Sequence, residues 1–324
     1  MRTNRAIFAL VLFMWVNSAY AANLPGISEF IDEMVVRHNF NRAELESAFE
    51  HANHLPRVIE AISRPATYRP WLEYRESFVN LERIKLGLRY WEKHQKSFLD
   101  AEQKYGVPQE IILAVIGVET VYGLDVGTFR TLDALTTLAF DYPSRAEFFR
   151  SELENYLLLA RDQELDLLSI RGSYAGALGI PQFMPSSYRN YAVDFNDDRK
   201  VDLLHQSDDA IGSVASYLKA YGWKNGESVA IRAQIDYRIC AGEIAIPRTI
   251  SEWKMAGVLP DMEVVQSEYA RLIDFTVTEG KEFWLALNNF EVITRYNNSD
   301  YYAMSVFQLA ERIKAARNSN TPVR

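Results

Sequence analysis

Glu119 lies near the end of Ile-Ile-Leu-Ala-Val-Ile-Gly-Val-Glu-Thr-Val-Tyr-Gly, residues 111–123. On a helix, the positions three, four and seven before it share its face. Those are Ile116, Val115 and Ile112. The carboxyl therefore points where apolar side chains point, toward a core or a cleft. A lone buried carboxylate is costly unless it is paired, hydrogen-bonded or protonated. Burial also raises its pKa, and a Glu so raised is a usable general acid near neutrality. A structural Glu that pairs with an Arg or caps backbone amides satisfies this segment equally well. Ser173 and Gln182 sit in a second distinctive stretch, Gly-Ser-Tyr-Ala-Gly-Ala-Leu-Gly-Ile-Pro-Gln-Phe-Met-Pro, residues 172–185. Its glycines permit close backbone approach. Ser173, between Gly172 and Tyr174, also suits a turn.

The elements that must hold these residues are mostly helical. Ile27, Phe30, Ile31, Met34 and Val35 recur at helical spacing within Ile27–Ile62, and Asn41 opens a second short helix to Phe49. Arg64-Pro65 and Arg69-Pro70 punctuate the region after it. One long helix is expected from Ile84 to Gly106. The next, bearing Glu119, should have Pro108 in its first turn and end at Gly123. Further helices are expected over Ser144–Asp162, Asp208–Tyr221 and Tyr301–Ala316. Residues 172–185 read as loop and short helix. Strand patterning appears from Val229 to about Ile246 and over Arg271–Val277. The tail from Asn318 to Arg324 is expected to be disordered.

Two motifs together decide the family. Gly-Val-Glu-Thr-Val-Tyr-Gly, 117–123, resembles the G-V-E-T-x-x-G of B-type lytic murein transglycosylases. Residues 172–187 resemble their G-S-x-A-G-A-x-G-x-x-Q-F-M-P-S-S stretch. Tyr188 to Phe195, running into an Asp-rich loop, and Thr294-Arg-Tyr-Asn-Asn-Ser-Asp-Tyr-Tyr-Ala-Met304 match in the same order. The matches run from about Trp71 to the last helix. The resemblance implies a mainly α protein with a core similar to goose-type lysozyme, an N-terminal helical domain and a small β-rich insertion. The expected division is a signal peptide at 1–21, a helical domain at 22–104 joined by the C-terminal helix 300–324, a catalytic core at 105–224 and a β-rich domain at 225–298.

The implied reaction cleaves the MurNAc–GlcNAc bond of peptidoglycan without water, leaving a 1,6-anhydro end. Ordinary glycosidases use two carboxylates. Here an intramolecular hydroxyl removes the need to position water. One Glu can then act as acid and afterwards as base. Carried over by position, Glu119 is the acid/base. Ser173 would bond the acid or the N-acetyl group, and Asn297 would hold that group. Gln182 would bond a sugar; Tyr74, Tyr217, Tyr296 and Tyr302 match cleft aromatics; Arg145 would meet a stem-peptide carboxylate. Core packing competes for each tyrosine. Asp125, Asp133 and Asp141 read as capping or loop residues. The competing functions are a hydrolytic lysozyme and a non-catalytic peptidoglycan-binding protein.

Asp194-Phe-Asn196-Asp-Asp198-Arg-Lys200-Val-Asp202 has the alternating oxygens of an EF-hand loop. Asp194, Asn196, Asp198 and the Lys200 carbonyl are the expected ligands of a structural calcium ion, with Asp202 direct or through water. His205 stands where the closing Glu should be; the resemblance places closure at Asp208. Arg199 replaces the turn glycine and is the main departure. An acidic surface turn or a calcium sensor is the competing reading. No cofactor is required for the chemistry.

The N-terminus carries Arg2 and Arg5, an apolar Ala6–Val16 and Ala19-Tyr20-Ala21, the pattern of a cleavable export signal. That pattern implies a periplasmic location, and an uncleaved anchor is the alternative. No Cys follows the apolar stretch, so no lipid anchor is expected. The single Cys240 cannot form an intrachain disulfide and reads as inert. A formal charge of −8 argues against nucleic acid. Glycan strands are the expected partner of a monomer, with wall-synthesis machinery as a further candidate.

Overall fold

The computed structural model describes residues 24–64, 69–236 and 246–319. The expected leader at 1–21, Cys240, the strand residues expected between 237 and 245, and residues 320–324 lie outside the described residues. The chain opens with α1 (Ile27–His38), α2 (Arg42–Glu50) and α3 (Pro56–Ile62). Asn41 caps α2 by accepting from Ala43 N and Glu44 N. Next come α4 (Trp71–Phe78), α5 (Leu81–Lys93), α6 (Gln95–Tyr105) and α7 (Gln109–Thr120). The long helix expected over Ile84–Gly106 is thus two. It breaks at His94, whose ring lies 4.7 Å from Tyr90 and 3.3 Å from Asp208. The first contact is local, and the second, to a residue 114 positions on, is tertiary and holds the turn where sequence periodicity continues.

The chain continues through β1 (Phe129–Arg130), α8 (Thr131–Asp141), α9 (Ala146–Asp162), β2 (Arg171–Gly172), α10 (Pro185–Tyr191) and α11 (Ser207–Ala220). Then come β3 (Ala230–Ile235), β4 (Arg248–Thr249), α12 (Ile250–Met255), β5 (Val258–Pro260), β6 (Tyr269–Val277), β7 (Gly280–Ala286), α13 (Asn288–Tyr296) and α14 (Asp300–Asn318). The mainly α class with a small β-rich insertion holds. β3 to β7 form one sheet in the order β4-β6-β7-β3-β5, and every pairing is antiparallel. α12 lies between the two expected strand regions. Its signal was present in the sequence, because Thr249 and Glu252 form a reciprocal capping box.

Helix α7 runs through the centre of the molecule, packed against α5, α6, α11 and α14. Every residue of it is buried except Gln109 at its start and Glu119 near its end. The apolar face expected around Ile112, Val115 and Ile116 is therefore one part of a wholly buried surface. Its ten buried residues of twelve make α7 the spine that fixes where the carboxyl emerges. Gly117 lets the ring of Tyr122 close against this spine; a Cβ there would sit 2.7 Å from the Tyr122 hydroxyl. The helix stops three residues before Gly123, with Val121 and Tyr122 already left-handed at φ 52° and 63°. Pro108 forms the N-cap and is not part of the first turn. Arg83 donates to the carbonyls of Gly117 and Val118, placing a cation at the α7 C-terminus.

The sheet is tied to the helical body at two places. Trp71 packs 4.4 Å from Phe275 and donates to Glu282. Arg271 of β6 grips Asp300 with two hydrogen bonds, 2.8 and 2.7 Å, and Glu291 with a third at 3.0 Å. These anchors set α4 and the start of α14, the two helices that face Glu119.

Candidate active site

Glu119 opens onto a cavity of about 610 Å³ lined by Arg64, Arg69, Tyr74, Ser77, Phe78, Val118, Glu119, Tyr174, Asn297 and Tyr302. α4 supplies Tyr74, Ser77 and Phe78; α7 supplies Val118 and Glu119; α14 supplies Tyr302. Tyr302 donates to Glu119 Oε1 at 2.5 Å. Burial pushes the carboxyl up from 4.5 to about 7, and the Tyr302 hydrogen bond opposes that shift by favouring the ionised form. Among the described residues no other carboxylate lines the cavity. Asp133 accepts from Asn53 and Arg130, and Asp141 lies 2.7 Å from His54. Both are held by structural partners away from the cavity.

Replacing Tyr302 by Phe should move the Glu119 titration to still higher pH. A general acid works while protonated, so activity falls as pH climbs through its pKa. Removing the hydrogen bond that favours the ionised form must shift that falling limb upward. A pH–rate profile of Tyr302→Phe whose limb stays put or moves downward would show that the hydroxyl has another role.

The other expected site residues divide between this cavity and its surroundings. Tyr74 and Asn297 line the cavity beside Glu119. Burial raises the Tyr74 hydroxyl to about 12, with a smaller contribution from Glu119. Tyr296 stacks on Tyr302 at 6.4 Å and donates to Pro181 O. Tyr217 lies 4.8 Å from Tyr296 and donates to Arg295 O. Those two rings form the wall behind Tyr302, and their hydroxyls are engaged by backbone.

Ser173 and Gln182 sit in a network of turns: β1 pairs with β2, Gly172 bridges Leu178, and Leu178 bridges Phe183. Ser173 Oγ accepts from Ala175 N at 3.2 Å and Ala177 N at 3.0 Å, leaving its own proton to donate. Gln182, left-handed at φ 52°, donates through Nε2 to Val126 O and Gly179 O, leaving its oxygen to accept. Neither is among the cavity lining; Tyr174, next to Ser173, is. Arg145 also lies outside that lining, stacked 4.4 Å over Phe148 and 5.2 Å over Phe149.

Several contributors escaped the sequence reading. Arg64, Arg69, Ser77, Phe78 and Tyr174 line the cavity with no spacing signal to mark them. Thr120, next to the acid, ties the two motifs together. Its hydroxyl donates to Ile180 O at 2.7 Å and accepts from Gly123 N at 2.9 Å.

The Asp-rich loop lies elsewhere, beside a second cavity of about 660 Å³ lined by Asp162, Tyr188, Arg199, Asp202 and others. That cavity is slightly larger, but it contains none of the residues around Glu119. Arg199 adopts φ 70°, the left-handed conformation a glycine would supply. Asp194 accepts from Asp198 N and Arg199 N, and Asp198 accepts from Lys200 N. Asn196 accepts from Asp198 N and donates to the Asp198 carboxylate. Asp202 caps the next turn through Leu204 N and His205 N. The turn and the alternating oxygens fit a calcium ion. The expected closing ligand departs from that arrangement: Asp208 accepts from Ser97 at 2.6 Å and faces His94. Among the described residues no three His, Cys, Asp or Glu side chains cluster to hold a metal. The loop's ends are instead stapled by the neighbouring Asp209, fully buried, which accepts from Phe195 N and Asp202 N at 2.8 Å each.

Similarity to known proteins agrees with this geometry. The model of the transglycosylase SLT domain matches residues 23–311. The membrane-bound lytic murein transglycosylase B of Escherichia coli (strain K12) is 42% identical over 306 residues, covering 91% of this chain and 84% of that protein. The crystal structure of soluble lytic transglycosylase SltB1 from Pseudomonas aeruginosa superposes with a TM-score of 0.86 at 45% identity, covering 91% of this chain and all of that one. The Escherichia coli lytic transglycosylase Slt35 in complex with calcium superposes equally well, TM-score 0.86 at 42% identity, over 91% of this chain and 95% of that one. The helical core and sheet insertion are those of a lysozyme-like transglycosylase fold, and the chain belongs to the lytic murein transglycosylase B family of enzymes.

Proposed function

We propose that this enzyme cleaves the MurNAc-β-1,4-GlcNAc bond of peptidoglycan and closes a 1,6-anhydro ring on MurNAc, with Glu119 as sole acid and base. The observation that carries this reading is the solitary raised carboxyl in the cavity. Protonated Glu119 gives its proton to the glycosidic oxygen as the C1–O bond breaks, releasing the GlcNAc hydroxyl. The resulting carboxylate takes the proton of the MurNAc 6-hydroxyl as O6 bonds to C1. The acid is regenerated and no water is consumed. A pKa near neutrality suits a group that must both give and take a proton. Tyr302 supports the ionised intermediate state through its hydrogen bond. Asn297, Tyr74 and the free Ser173 proton are placed in this reading to hold the N-acetyl group and sugar rings, with the free Gln182 oxygen accepting from a sugar hydroxyl. The N-terminal pattern supports action in the periplasm on glycan strands.

Product analysis of digested sacculi tests this directly. Mass spectrometry should find fragments lacking one water relative to hydrolysis products. Reducing MurNAc ends throughout would replace this reading with a lysozyme.

Calcium is proposed as a structural ion of the Asp-rich loop, held by Asp194, Asn196, Asp198 and the Lys200 carbonyl, with Asp208 turned from Ser97 to close the site. An ion that binds only the folded chain stabilises by about 2.7 kcal/mol at a hundredfold excess over its Kd. Calcium should therefore raise the melting temperature of the wild type by several degrees, and Asp194→Ala/Asp198→Ala should abolish the rise. An unchanged melting curve over millimolar calcium would remove the ion from this loop.

A further inference from the structure

Arg64 and Arg69 both line the cavity of Glu119. Both are exposed. Neither guanidinium forms an ion pair or hydrogen bond with any described residue. Other arginines of the chain are employed differently: Arg83 caps α7, Arg130 pairs with Asp133, and Arg271 grips Asp300. In a chain of net charge −8, two idle cations on one cavity need an explanation. They do not tune the acid, since burial and Tyr302 account for the shift of Glu119. The remaining lining is aromatic, aliphatic or neutral, supplied by Tyr74, Phe78, Val118, Tyr174, Ser77 and Asn297. Such a surface takes sugar rings, and among its described residues the two guanidinium groups are its positive charges. Arginine's planar fork matches a carboxylate with two parallel hydrogen bonds.

On the substrate proposed above, hydroxyls and N-acetyl groups are neutral. Negative charge resides on the lactyl arm of MurNAc, either as its own carboxylate or on the peptide it carries. We propose that Arg64 and Arg69 recognise a carboxylate on that arm and so make the cavity selective for acid-bearing MurNAc over an uncharged glycan. The inference rests on the peptidoglycan reading and goes beyond it by assigning specificity. It assigns this role within the cavity lining, and is separate from the role expected of Arg145, which stacks on Phe148 and Phe149 outside that lining.

Titration calorimetry on Glu119→Gln protein, which keeps the cavity without turnover, tests the assignment with three probes. These are GlcNAc-MurNAc-pentapeptide, GlcNAc-MurNAc with a free lactyl carboxylate, and a GlcNAc oligomer of matched length. Adding Arg64→Ala/Arg69→Ala should weaken binding of an acid-bearing probe by about tenfold relative to the GlcNAc oligomer, equivalent to about 1.4 kcal/mol. Loss on the pentapeptide probe alone assigns a peptide carboxylate, because the lactyl carboxyl of that probe is an amide; loss on the free-lactyl probe alone assigns the lactyl carboxylate; loss on both means that the arginines accept either acid. Arg64→Lys/Arg69→Lys should recover part of the loss, because charge remains while the fork is gone. Equal weakening of all three probes, or none, would overturn the assignment. If Glu119→Gln protein with both arginines intact binds none of them, the peptidoglycan reading itself fails, and that result is distinct from a lost preference.

Discussion

Glu119→Gln should lose at least about a thousandfold in turnover on sacculi while remaining folded, the upper part of the range for general acid–base catalysis because one group serves both steps. The amide is nearly the same shape, and its oxygen can still accept from Tyr302, which donates to Oε1 in the wild type. It cannot release a proton to the leaving oxygen or collect one from the 6-hydroxyl. Among the described residues no second carboxylate lines the cavity to take over. Activity within tenfold of wild type would end the single-acid mechanism, whatever products appeared.

The same substitution should stabilise the fold, and only at the alkaline end. Below pH 4.5 the carboxyl is neutral in the folded and the unfolded chain alike, so replacing it has no electrostatic effect. Between 4.5 and about 7 the unfolded chain ionises first, and wild-type stability falls as pH rises. Above about 7 the deficit is complete, at most about 3 kcal/mol by ~1.36 kcal/mol per pKa unit and less because the group partly faces the cavity. Glu119→Gln escapes that deficit. Its melting temperature should match wild type near pH 4 and exceed it near pH 9 by a few degrees per kcal/mol, roughly 2–4 °C each for a chain of this size class. A gain that grows toward acid pH would contradict the burial of the carboxyl.

Local patterning made the helices legible because their boundaries are written in short-range chemistry. Asn41 before α2 is such a boundary, and its side chain does accept from the first-turn amides. The break at His94 was not legible, since the Asp208 carboxylate that meets its ring comes from another part of the chain. Glu119 was conspicuous for its apolar neighbours, but those neighbours are buried on all sides of α7 and did not specify where the acid emerges. The hydroxyl that meets it there belongs to Tyr302, 183 positions away in sequence. The family motifs identified both segments without indicating that Thr120 joins them through Ile180. Arg64 and Arg69 had only a Pro-rich setting to announce them. In the Asp-rich loop the alternating oxygens were legible, whereas the stapling role of Asp209 was not, because it depends on amides at Phe195 and Asp202 meeting one carboxylate.

The glycine-rich stretch carries the second large expectation. Gly179→Ala should destabilise the protein by about 3 kcal/mol or more, through left-handed strain added to a backbone collision. Gly179 has φ +68°, and a Cβ there would overlap the Leu203 carbonyl oxygen and lie 2.7 Å from its carbon. That carbonyl cannot simply swing aside, because it accepts from Ile180 N at 2.8 Å. Moving it loosens the residue whose own carbonyl holds Thr120 beside the acid. It also displaces the Gly179 oxygen that accepts from Gln182 N and Nε2. Activity should therefore drop along with stability. Gly222→Ala separates the two causes. Gly222 has φ +95° but nothing within 4 Å of an added Cβ, so only the left-handed cost of about 1–2 kcal/mol applies. Side-by-side melts should show Gly179→Ala falling well below Gly222→Ala, with Gly222→Ala retaining the wild-type rate. Equal losses in the two variants would mean that close approach to Leu203 contributes nothing, and that the glycines between Ser173 and Gln182 serve only to turn the chain.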